Sequence, residues 1–244
     1  MARTGSKCSV CRLADARVFG DDPDLQILAP CSACADKLAA EALAKQNRDQ
    51  LADIHERWSK LPALYRTTDP NHPHINRSLR GKVLEYDSRS SNGKGLGLYG
   101  PTGAGKTRIM YLLLHKLHFS GVKIAVTNAI AIARAASQEF DDDQKTRGEA
   151  RLLLRNAVTS EVLFIDDIGK ERLTEAAELK LYWLIEERTA NYRPILWTSN
   201  FMGSDLRKMM SDNRGPAITR RLAEFSSVLF APAPYIQENE RRFA

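Results

Sequence analysis

From Ser32 to Leu61, apolar side chains recur at Leu38, Leu43, Leu51, Ile54 and Trp58 in an Ala-, Leu-, Lys- and Glu-rich stretch with no Gly or Pro. That spacing predicts one long helix with a single apolar stripe, ended by Pro62. The stretch 67–76, with Pro70 and Pro73, reads as a loop crossing to a second domain, and Ser88–Gly97 (SRSSNGKGLG) as a polar, glycine-rich link. Beyond it the period changes. Apolar runs at Leu96–Tyr99, Val122–Thr127, Val162–Ile165, Ile195–Asn200 and Val228–Ala231 predict five strands. Helical faces alternate with them, one through Ile109, Leu112, Leu113 and Leu117, another from a Thr174 N-cap through Leu181, Leu184 and Ile185 to Thr189. Two further helical segments, 128–140 and 141–157, follow the second strand. Strand and helix in alternation predict a three-layer α/β domain with a five-stranded parallel sheet. The expected division is 1–61, a small head; 62–95, linker and lead-in; and 96–244, the core.

The 244 residues, 43% hydrophobic and 27% charged, suit an ordinary folded chain and exclude wholesale disorder or a collagen-like repeat. No apolar run approaches the roughly 18 residues of a membrane-spanning helix. Residues 1–20 lack the apolar segment of a secretory signal, so the expected location is cytoplasmic, with no membrane partner. The net charge is +6, yet residues 1–62 balance nine basic against nine acidic side chains. The excess therefore lies in the body, as expected of a protein that binds nucleotide or nucleic acid, or of a merely solvated basic surface.

The four cysteines form two pairs, Cys8-x-x-Cys11 and Cys31-x-x-Cys34, and the chain has no others. Two such knuckles supply the four thiolates of a tetrahedral zinc site. A disulfide fits poorly without a secretory signal, and a redox pair poorly because neither is read in a strand-to-helix setting. Some thirty residues cannot build a sufficient apolar core, so zinc (Zn²⁺) would carry much of the head's folding, with turns at Gly20–Pro23 and Pro30. His72 and His74 are the weaker metal candidates.

The strongest chemistry is GPTGAGKT, Gly100–Thr107, between a strand and a helix. Its glycines let backbone N–H groups turn inward around the β- and γ-phosphates of a nucleotide, Lys106 adds charge, and Thr107 offers a hydroxyl to Mg²⁺. The strand Val162–Ile165 runs into Asp166 and Asp167. Placed beside the P-loop strand, as expected, it would give Asp166 to Mg²⁺ and Asp167 to the attacking water. Asp in place of Glu sets that carboxylate back and predicts slow or partner-dependent turnover. Asn200 ends the next strand, where its amide could reach the terminal phosphate or the water, or simply cap a turn. Arg220 and Arg221 are badly placed for their own P-loop, which leaves a finger for a neighbouring subunit or a solvated basic face.

In this order and spacing, GPTGAGKT, VLFIDDIG, WTSN and AITRRL resemble the Walker A, Walker B, sensor 1 and arginine-finger elements of an AAA+ ATPase. The compact layout is similar to the DnaC/IstB-type group of helicase loaders and transposition helpers, over roughly residues 61–231, the lead-in Leu64–Tyr86 included. The resemblance implies ATP held by Gly100, Pro101, Thr102, Gly103, Ala104, Gly105, Lys106, Thr107, Arg108 and Asp166, with Mg²⁺ on Thr107 and Asp166. It implies Asp167 for water, Asn200 as sensor and Arg221 as finger, with Arg220 the rival. It also implies a homo-oligomer, a hexameric replicative helicase gripped by residues 1–61, and single-stranded DNA on basic residues such as Arg134, Lys145, Arg147, Arg151 and Arg155. Thirteen residues after Ala231 leave no full C-terminal lid, and the cysteine knuckles are an addition to the loader pattern. Helicase loader and transposition helper both stand. A small-molecule kinase or GTPase recedes, because no Asn-Lys-x-Asp motif occurs.

Overall fold

The computed structural model describes residue 8, residues 10–12, the backbone of 17–19 and 27–29, and residues 30–233. The expected turn at Gly20–Pro23 and the end of the chain lie outside these. The chain divides into two compact units, Met1–Arg57 and Trp58–Ala244.

In the first unit, β1 (Arg17–Phe19) pairs antiparallel with β2 (Ile27–Ala29), Val18 opposite Leu28. Helix α1 (Ser32–Ser59) follows at once, so Cys31 and Cys34 straddle a strand-to-helix junction, contrary to the sequence expectation. Its expected stripe is not a buried face: Leu38, Leu43 and Leu51 are exposed, and of the stripe only Trp58, where the second unit begins, is buried. The pattern has the right period, but no described element packs along it.

The second unit opens with α2 (Ala63–Arg66) and α3 (Arg77–Leu84), the latter capped by Asn76 accepting from Leu79 N–H. Then come β3 (Gly95–Tyr99), α4 (Lys106–Phe119), β4 (Ile124–Asn128), α5 (Ala129–Gln138), α6 (Gln144–Thr159) and β5 (Val162–Ile168). The chain continues through α7 (Glu175–Ala190), β6 (Ile195–Ser199), α8 (Gly203–Lys208), α9 (Gly215–Glu224) and β7 (Ser226–Phe230). All five strands of the sheet run parallel, in the order β4-β5-β6-β3-β7. This corrects one expectation. β5 is not beside β3, because β6 is inserted between them, Leu196 pairing with Leu96 on one side and Phe164 on the other. The reason is burial: β6 is covered along its whole length and belongs at the centre, whereas β4 is half-covered and takes an edge.

Alternate strand residues feed two cores. Leu96, Leu98, Phe164 and Leu196 pack under α4 with Leu79, Val83 and Trp58. Leu163, Ile165, Ile195 and Trp197 pack under α5, α7 and α9 with Leu181, Leu184, Ile185 and Ile218. Gly97 is required here, since a Cβ would lie 2.3 Å from the Trp197 ring. At the foot of the second core Arg188 is fully buried, its guanidinium donating to the carbonyls of Ala157, Val158, Ser160, Glu161 and Pro194 at 2.7–3.2 Å. Burial pushes its pKa down to about 9, still above neutrality, so the cation persists and ties the end of α6 to the starts of β5 and β6.

Candidate nucleotide site and cysteine cluster

The site forms where the chain leaves the carboxyl ends of β3, β5 and β6. Past Tyr99 the loop turns on Gly103 and Gly105, both in the left-handed region, φ 82° and 72°, and Gly105 caps α4. Gly105 is also approached from upstream: a Cβ there would lie 2.2 Å from the His74 carbonyl oxygen. The Thr67–Asn76 segment, expected as a crossing loop, therefore lies against the P-loop. Tyr65 from the same lead-in stacks on Tyr111 of α4, ring centres 5.1 Å apart. Together Tyr65, His74 and the run from Thr102 to Arg108 line a cavity of about 290 Å³, and Asp167, Lys170 and Asn200 complete its wall.

Lys106 is buried, and its Nζ donates to Gly100 O at 2.8 Å, Pro101 O at 2.9 Å and Asn200 Oδ1 at 2.8 Å. Three neutral acceptors satisfy the donors and leave the charge unmatched. Burial lowers its pKa, and Asp167 and Asp166 offset part of that. Because the Asn200 oxygen is committed to the lysine, its amide nitrogen is the group left for a ligand.

Asp166 lies beneath the loop, its Oδ1 accepting from Thr107 Oγ1 at 2.9 Å and Thr198 Oγ1 at 2.5 Å. Burial raises its pKa; Thr198 pulls the other way, and neighbouring Asp167 adds to the rise. Between Ile165 and Ile168 the β5–β6 register slips, and within that bulge Asp167 takes φ 53° and donates its N–H to Thr198 Oγ1 at 2.9 Å. The bulge turns the second carboxylate away from the first, so that Asp167 faces the cavity and pairs with Lys170 at 3.3 Å.

Walker A, Asp166, Asp167 and Asn200 thus come together, and the two arginines do not. Arg221 is held by Glu186 through two bonds of 2.6 and 3.1 Å, which raises its pKa. Arg220 is exposed on a second cavity, with Arg207, between α8 and α9. On α5 and α6, Arg134, Lys145, Arg151 and Arg155 are exposed, while Arg147 is half-buried and donates to Asp141 O at 2.8 Å. Thr198, Lys170 and Tyr65 escaped sequence reading, and His74, there only a weak metal candidate, is a wall of this cavity. Thr198 carried a cue, a hydroxyl inside an otherwise apolar strand; the other three depend on distant packing.

In the first unit the four cysteine sulfurs lie within 4.8 Å of one another, a group that could hold a metal ion. Cys11 and Cys31 Sγ are 3.8 Å apart, too far for a disulfide. The Cys31 N–H donates to Cys8 Sγ at 3.4 Å. Backbone donors from Cys11 and Cys31 lower the Cys8 pKa to about 6, whereas neighbouring cysteine sulfurs push Cys34 up to about 12. An all-sulfur set at this spacing fits zinc, whose binding would draw all four cysteines to their thiolate forms. His72 and His74 touch edge-to-face and join no third ligand among the described residues.

A family model described as IstB-like ATP binding protein matches residues 36–230. The replicative helicase loader DnaI of Bacillus subtilis (strain 168) is 25% identical over 165 residues, 65% of this chain, which spans about half the length of that curated relative (50%). A crystal structure of the DnaC helicase loader superposes with a TM-score of 0.54 at 19% identity, covering 70% of this chain and 99% of the other. Domain III of the Thermotoga maritima replication initiation protein DnaA gives 0.52 at 15% identity, covering 68% and 65%. These two likenesses concern the fold. Among the described residues no helix is long and apolar enough to cross a membrane.

Proposed function

The chain belongs to the IstB-like ATP binding protein family, and on that premise we propose that it is an ATPase that loads a replicative helicase onto DNA. The observation that carries this reading is the convergence of Lys106, Thr107, Asp167 and Asn200 on one cavity, with Asp166 bonded to Thr107 behind it. The named activity of the DnaI relative supports the choice of loader. The P-loop amides and Lys106 would hold the β- and γ-phosphates, and Asn200 Nδ2 the terminal one. Thr107 and Asp166 fit Mg²⁺, which when bound would neutralise phosphate charge. Asp167 would orient water, slowly, given its short side chain and its pairing with Lys170. Neither arginine of α9 lines its own site, so the finger would come from a second copy. Arg220 is the better candidate, because Arg221 is already engaged by Glu186. Residues 1–61, stapled by zinc on Cys8, Cys11, Cys31 and Cys34, would bind the helicase through a module distinct from the lead-in (62–95) and core (96–244). The exposed cations of α5 and α6 would meet single-stranded DNA.

A second reading, a helper ATPase that targets DNA for a transposase, follows from the resemblance to the DnaC/IstB-type group, which holds loaders and transposition helpers alike, and from the match to the IstB-like family model. Size-exclusion chromatography with light scattering separates the two. The chain is mixed with a cognate replicative helicase in ATP or ADP, beside Lys106→Ala. A complex that responds to nucleotide and weakens in the variant is expected. No complex under any condition would reject the loader and make a transposase the next partner to try.

A further inference from the structure

Lys170 belongs to none of the four motifs, yet it lines the nucleotide cavity together with Thr102 and Lys106. Its Nζ stands 3.3 Å from Asp167 Oδ2, and the two side chains are 57% and 35% exposed. A pair so open to solvent is weakly held. Lys106, by contrast, has all three donors committed to Gly100, Pro101 and Asn200. The cavity therefore contains one buried ammonium already bonded to the loop and Asn200, and one in a loose, solvent-exposed pair that can change partners on a flexible four-carbon stem.

We infer that Lys170 is a further ligand-binding residue, which exchanges Asp167 for the terminal phosphate of a bound nucleoside triphosphate. This rests on the nucleotide reading of the cavity and deepens it. A terminal phosphate carries more charge than a carboxylate and offers three oxygens, so it outcompetes Asp167 for the ammonium. A diphosphate lacks that group and leaves the pair closed. The exchange releases the Asp167 carboxylate toward water in the triphosphate state alone. Lys170 thereby makes the site sensitive to the third phosphate.

The test is equilibrium binding of Mg²⁺ with ADP and with a β,γ-imido ATP analogue to the full chain. Lys170→Met should weaken the analogue roughly tenfold, the scale of one charge-assisted bond, while ADP stays within about twofold. Lys170→Arg should restore most of the loss. Asp167→Asn should tighten the analogue in the native background and fail to do so when combined with Lys170→Met. Equal losses for both nucleotides, no loss for either, or a gain from Asp167→Asn that survives without Lys170 would each overturn the inference. Lys106→Ala separates the two levels: a chain that binds nucleotide no better than this variant would sink the cavity reading itself.

Discussion

At the scale of single residues, Asp166 is the most informative group, because its environment favours the wrong charge for its work. Burial raises its pKa, so the ionised form is disfavoured in the fold. A raised folded pKa contributes stability that is present below the unfolded value and lost as pH rises through the folded one. Without nucleotide, the chain should lose that increment as pH climbs out of the acid range. Binding of Mg²⁺ with nucleotide, which needs the carboxylate charged, should strengthen over the same interval. Asp166→Asn keeps an oxygen for Thr107 and Thr198 and removes the charge. Relief of that burial cost should raise the melting temperature at pH 7. The shift produced by Mg²⁺ with ATP should vanish at the same time. Thermal denaturation of both chains from about pH 4 to 8, with and without that ligand, checks it. A variant that melts lower and still responds to Mg²⁺ with ATP would contradict the assignment.

At the scale of elements, α9 separates two neighbouring arginines by what each touches. Arg221→Ala leaves Glu186 without its bidentate partner and should lower the melting temperature of the isolated chain. Arg220→Ala should leave it unchanged and reduce ATP turnover by ~10³-fold or more if Arg220 is the finger. Thermal melts beside steady-state turnover distinguish them, and the reverse pattern would return the role to Arg221. Residue types alone could not rank the pair, because the ranking depends on Glu186, thirty-five positions away. The same limit explains the strand order. Period and length locate β3, β5 and β6, but which strand takes the centre depends on how the connecting helices pack. It explains Lys170 and His74 as well, whose positions follow from a bulge and from a long lead-in. P-loop, Asp166 and Asn200 were legible because strand ends fix them locally. The stripe on α1 shows the converse: Leu38, Leu43 and Leu51 keep helical spacing and remain exposed.

At the scale of the molecule, the two units should fail independently. The cysteine cluster draws its four ligands from the first unit, and the nucleotide cavity is lined by the second alone. Cys8→Ser, or a strong chelator, should strip the metal and unfold the head. ADP affinity should stay within about twofold. Metal analysis with calorimetric nucleotide titration measures both, and a parallel loss of ADP binding would show the units to be coupled. The contact between the His74 carbonyl and Gly105 bears on how the molecule can be cut. A fragment beginning at Gly95 would retain every motif of the nucleotide site, yet it would lack one wall of the cavity and the aromatic stack on Tyr111. One beginning at Trp58 would retain both. The smallest piece that keeps the cavity whole must reach back to a backbone oxygen thirty-one residues upstream of the glycine it approaches.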